Sequence, residues 1–107
     1  MQATILSTFN DKIEGLQNKS SIQDDEVYIF KNVYAGTGFH MARVNFPIDI
    51  AFIDQDFAIL GIETLEAQSG QTIAPEGTVL AVEASQGYFE RNGLKVHDFW
   101  KEIYNRV

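Results

Sequence analysis

Two acids stand inside hydrophobic runs of this chain, Asp49 in "NFPIDIAFID" and Glu83 in "TVLAVEAS". Acid–base catalysis by two carboxyl groups requires that both face one cleft and that their pKa values be driven apart. If the strands carrying Asp49 and Glu83 converge, the pair could serve a small hydrolase. The competing reading is architectural: a half-exposed strand alternates apolar and polar residues, so each acid could be the polar member of its strand or pair with Arg43. His40 and His97 with Asp49 or Glu83 would be suitable donors for zinc or manganese, but no close ligand spacing joins them, and no metal or cofactor is expected.

The remaining chemical signals are weaker. "YAGTGF" contains a Gly-x-Gly, but neither a helix start nor a suitably placed lysine follows, so it reads as a turn and not a phosphate cradle. No serine lies in a nucleophile-elbow pattern with recognisable His and Asp partners. Fifteen acids against eight bases give a formal charge of -7, and the bases are scattered singly. That balance repels nucleic acid and anionic lipid, so neither is an expected partner. The chain has no cysteine, no long apolar run and no basic-then-apolar leader in "MQATILSTFN". The expectation is a cytoplasmic protein, or a virion component assembled in the cytoplasm.

These residues must be held by a fold, and the chain, at 107 residues with 45% hydrophobic composition, has the size and content of one domain spanning 1–107. "TFNDKIEGLQNKS" reads as a helix of about two turns capped by Thr8 or Asn10. "EVYIFKNV" reads as a strand. Between Val44 and Asp54, the two-residue strand period puts Ile48, Ile50 and Phe52 on one face and Asp49, Ala51 and Ile53 on the other. Pro47 cannot donate to a sheet ladder, which places it at a strand start or an edge. "IDQDF" is a hairpin connection to a strand in "FAILGIETLEA", "QSGQTIAPEG" a surface loop and "TVLAVEA" another strand. "SQGYFERNGL" makes one helical turn ending at Gly93. In the tail, Trp100, Ile103, Tyr104 and Val107 form a helical stripe behind Asp98 as N-cap, a face packed on the sheet or, alternatively, a partner-facing patch. The predicted class is α+β: a β-rich single domain with a central antiparallel sheet or small barrel of five or six strands, a short N-terminal helix and a C-terminal helix.

Four segments in order, "GLQNKSSI", "EVYIF", "FHMARVNFPIDIAFID" and "VEASQGYFERNGLKVHD", resemble the domain-of-unknown-function family 192, across about residues 8–98. The resemblance implies a compact β-rich domain and no particular activity. Measured against the family pattern, His40 stands for a tryptophan, Ala42 for a lysine, Arg43 for an asparagine and Ser85 for an asparagine, while Asp49, Asp54, Glu83 and Asp98 match. Phe57 stands where the family has a hairpin glycine, which implies a rebuilt turn, since phenylalanine takes positive φ only at a cost.

Together these readings favour a non-enzymatic module that binds a protein partner or a small polar ligand through His40, Arg43, Asp49, Glu83 and Ser85. The alternatives are an accessory or structural protein of a phage virion and the paired-carboxylate hydrolase. Asp49 itself is expected to be architectural, setting the start and register of an edge strand and meeting Arg43 across the bend at Pro47.

Overall fold

The structure is a computed structural model and describes residues 1–8 and 15–107. Five strands, β1 (Gln2–Leu6), β2 (Glu26–Phe30), β4 (Ile48–Ile53), β5 (Ile59–Leu65) and β7 (Leu80–Ser85), form one sheet in the order β1-β2-β7-β4-β5. β1 runs parallel to β2 and every other pairing is antiparallel. The sheet is therefore mixed and open, not purely antiparallel and not a barrel. A parallel pair needs a crossover of about a dozen residues or more, which residues 7–25 supply. β3 (Gly38–His40) and β6 (Gln71–Ile73) make a separate two-stranded ribbon. β6 lies within the stretch expected to be a plain loop; three residues without a core face leave too short a pattern to read.

β2, β4 and β7 are buried along nearly their whole length because both faces of the sheet are covered. On one face, Tyr28, Phe30, Ile48, Ile50, Phe52 and Ala81 pack beneath Leu16, Val33, Met41, Val44 and Ala74. On the other, Val27, Ile29, Ala51, Ile53 and Val82 meet Tyr88, Phe89, Trp100 and Ile103. These last four belong to or flank two single-turn helices, α1 (Tyr88–Arg91) and α2 (Lys101–Tyr104). We call the two sides the ribbon face and the helix face.

Several expectations change here. β4 lies between β7 and β5, so Pro47 stands just before an interior strand, where its missing N–H leaves no gap in the ladder. The tail forms one helical turn. Trp100 and Ile103 are buried, Tyr104 and Val107 point to solvent, and Trp100 occupies the N-cap in place of Asp98, whose Oδ2 accepts the Lys95 N–H at 3.0 Å. A four-residue helix buries only part of a stripe that repeats over eight residues. The tail is nevertheless part of the fold: Ile59 donates to the Asp98 carbonyl at 3.0 Å, and Trp100 to the Phe57 carbonyl at 2.9 Å. The expected turn ending at Gly93 is α1. The expected N-terminal helix falls mainly on residues 9–14, outside the described residues.

Phe57 itself takes the positive φ that favours glycine, at φ 62. Its strain is offset locally: Asp54 Oδ1 accepts the N–H groups of Asp56 and Ala58, the Phe57 N–H reaches the Asp54 carbonyl, and its ring packs edge-on against Tyr104.

Candidate functional site

The register across the sheet decides what Asp49 and Glu83 can do. Asp49 stands opposite Ala84 on β7 and Thr64 on β5, while Glu83 stands opposite Ile50 on β4 and Tyr28 on β2. Directly opposed residues share a face, so Glu83 lies with Ile50 on the ribbon face and Asp49 on the helix face. The two carboxyl groups are back to back across the sheet. The geometry supplies no cleft common to both, and the paired-carboxylate arrangement is absent.

Asp49 is occupied. Its Oδ1 accepts the Thr64 hydroxyl at 2.6 Å and its Oδ2 accepts the Gly87 N–H at 2.8 Å. It thus ties β4 to β5 and to the turn that launches α1. Gly87 adopts φ 86, a backbone conformation that favours glycine. The expected contact between Asp49 and Arg43 does not form: Arg43 is exposed in the loop before β4 at φ 66. Ser85 is also engaged elsewhere, its Oγ accepting from Arg91 Nη2 at 2.7 Å. Arg91 further donates to the Gln86 carbonyl at 2.9 Å and lies 3.8 Å from Asp24.

Glu83 is 7% exposed, and no hydrogen bond or ion pair joins it to another described residue. Tyr28, beside it, gives its hydroxyl to Glu26 Oε2 at 2.7 Å instead. Burial pushes the Glu83 carboxyl up to about 8, so that it holds its proton at neutral pH. It lines a cavity of about 410 Å³ between the sheet and the segment 32–44. Phe30, Val33, Tyr34, Phe39, Met41 and Val44 supply apolar wall, and Asn32, Thr37 and His40 bring polar groups. His40 is exposed, and its Nδ1 accepts the Ala42 N–H at 3.3 Å. A second depression of about 500 Å³ continues over the ribbon, sharing Gly38, Phe39 and His40 and adding residues 71–73.

Of the five residues expected to form a site, the structure brings His40 and Glu83 to one cavity and leaves Arg43, Asp49 and Ser85 outside it. The apolar walls had no signal of their own, because Phe30, Phe39 and Met41 read in sequence as ordinary core. Only the presence of a loop near "YAGTGF" pointed to the place. Among the described residues, no three His, Asp or Glu side chains gather closely enough to hold a metal ion.

A family model, DUF192 (uncharacterized ACR), matches residues 1–100. The chain belongs to the DUF192 family. This DUF192 domain is similar in structure to a protein of unknown function from Novosphingobium aromaticivorans. The TM-score is 0.79 at 24% identity, covering 91% of this chain and 71% of that one. It is also similar to a protein of Sinorhizobium meliloti provisionally described as a transcription regulator, with a TM-score of 0.80 at 20% identity, covering 91% of this chain and 78% of that one. At these identities the likeness is one of fold. No curated protein matches the chain. Neither the family description nor those of the two structures speaks of a virion or of hydrolysis. No helix of the described residues is long and apolar enough to cross a membrane.

Proposed function

We propose that this DUF192 domain is a non-enzymatic binding module whose ligand is a small molecule with an apolar body and one polar group, held in the cavity on the ribbon face. The observation that carries the reading is Glu83: a carboxyl buried at an otherwise largely apolar cavity and left without a partner among the described residues. The carboxyl opens onto the cavity, where a ligand can supply the hydrogen bond that no described residue makes. The volume falls within the range of about 300–1,000 Å³ typical of small-molecule sites. The ligand differs from the small polar one the sequence suggested, since most of the wall is apolar. The regulator description of the S. meliloti protein is not carried over, because the net charge of -7 opposes contact with nucleic acid.

Thermal-shift titration with small aromatic and alicyclic fragments tests the reading. A ligand at about ten times its Kd adds ~1.4 kcal/mol of stability, which raises the melting temperature by several degrees in a domain of this size. Gly38 lines the cavity and has open space where a Cβ would be built, so Gly38→Trp should fill the mouth while leaving the fold intact. Saturable shifts that vanish in Gly38→Trp are expected. Shifts that persist in the variant, or conversion of the fragment to product, would overturn the proposal.

A further inference from the structure

We propose that the cavity selects an organic ammonium ion, whose charged head pairs with the Glu83 carboxylate and whose apolar body lies among Phe30, Tyr34 and Phe39. This inference rests on the binding-pocket reading above and adds the charge of the ligand. Three observations point to a cation. No lysine or arginine is among the described residues lining the cavity, so none of these residues provides a permanent counter-ion for Glu83. The aromatic rings lining the wall, Phe30 and Phe39 in edge contact at 5.5 Å with Tyr34 at the exposed side, attract cations through their faces. An anionic ligand would meet an acidic group with no cation among the described lining residues to receive it, on a chain of net charge -7.

The charged and titratable groups around Glu83 are mostly acidic, with Lys19 the exposed exception. From β2 comes Tyr28, whose hydroxyl is bonded to Glu26 and whose ring lies under the Lys19 ammonium at 5.4 Å. From β4 comes apolar Ile50, and beyond it on β5 stands Glu63, tied to Thr72 of the ribbon at 2.6 Å. His40 is contributed by β3. Two further acids therefore flank the ribbon face near Glu83.

Burial keeps Glu83 protonated at neutral pH, which gives binding a distinctive proton balance. Protonated Glu83 and an ammonium ion combine to a carboxylate–ammonium pair, and one proton leaves to solvent. Affinity for the ammonium should therefore rise about tenfold per pH unit up to about pH 8 and then level off until the amine itself loses its proton.

Isothermal titration of the full chain with 2-phenylethylammonium and with its neutral counterpart 2-phenylethanol tests this. The measurements are made at pH 6, 7 and 8.5, in two buffers of different ionisation enthalpy, with proton NMR of the aromatic resonances alongside. At pH 8.5 the ammonium should bind at least about tenfold more tightly than the alcohol. At pH 7 its binding should release close to one proton, and that release should persist in His40→Gln. In Glu83→Gln the preference for the ammonium over the alcohol should vanish, and the proton release with it. Equal binding of the two probes, or ammonium binding without proton release, would overturn the ammonium inference and leave the pocket reading standing. If neither probe binds or perturbs the Phe30 and Phe39 resonances, the pocket reading fails with it. If Glu83→Gln fails to fold, the proton release of the unmodified chain still decides the inference.

Discussion

Asp49 and Glu83 are each 7% exposed, sit on adjacent strands and are separated by little more than the thickness of one sheet, yet their circumstances are opposite. On the helix face Asp49 has a hydroxyl and a backbone N–H aimed at its two oxygens, and those contacts fasten three parts of the fold together. On the ribbon face Glu83 borders a cavity, has no such donor among the described residues, and responds by holding its proton. A buried acid whose partners are built in is accounted for by architecture. One left unpartnered beside a cavity is a cost that folding alone does not explain, and it directs attention to a ligand.

If the helix face is the close-packed one, the largest effects of mutation belong there. Trp100 is 1% exposed and packs edge-on against Phe89, so Trp100→Ala should cost about 3–5 kcal/mol even though its indole N–H has no hydrogen-bond partner among the described residues. Phe39→Ala, on the wall of a space already partly open, should cost no more than about 2 kcal/mol. Urea denaturation of both variants makes the contrast measurable, and equal losses would remove it.

The two acids should then answer neutralisation with opposite signs. Asn at position 49 keeps the shape but offers one acceptor where two donors are aimed, so Asp49→Asn should lower stability by about 1–3 kcal/mol. Glu83→Gln removes an ionisation that the folded protein resists. Below about pH 4.5 the carboxyl is protonated in both folded and unfolded chains. Above it the unfolded chain releases the proton and the folded chain keeps it, so this group lowers stability as pH rises, by up to about 1.4 kcal/mol per unit, until about pH 8. Glu83→Gln should therefore flatten the stability profile between pH 5 and 8 and be the more stable protein at pH 8, by up to about 4–5 kcal/mol. Denaturation midpoints across that range check this directly; a variant less stable than its parent at pH 8 would mean that Glu83 is supported by contacts of its own. The smallest effect is expected from Thr64→Val, which takes one donor from Asp49 and should cost about 1 kcal/mol in the same assay.

Much of the strand content was legible in the sequence. β2, β4, β5 and β7 each carry a β-rich run between turn signals, and the two-residue period assigned Ile48, Ile50 and Phe52 to one face and Asp49, Ala51 and Ile53 to the other, as the structure has them. The short helical turn ending at Gly93 was legible for the same reason: its stop signal is local. The ribbon strands were not, because three residues of strand have no period to detect. The parallel pairing of β1 depends on a partner twenty-four positions away in register, Gln2 with Glu26, which no local pattern encodes. The positive φ of Phe57 is not legible locally, because it is held by Asp54 and by contacts from the distant tail.

The candidate site shows the same division. By itself the sequence determined that two acids would lie within hydrophobic strands, since composition and alternation are properties of the chain. Whether those acids would meet was decided by register alone: β4 and β7 align Ile50, not Asp49, with Glu83. In a sheet whose side chains alternate faces at every residue, that offset of one position sends one carboxyl to a hydroxyl and a backbone N–H and the other to a cavity.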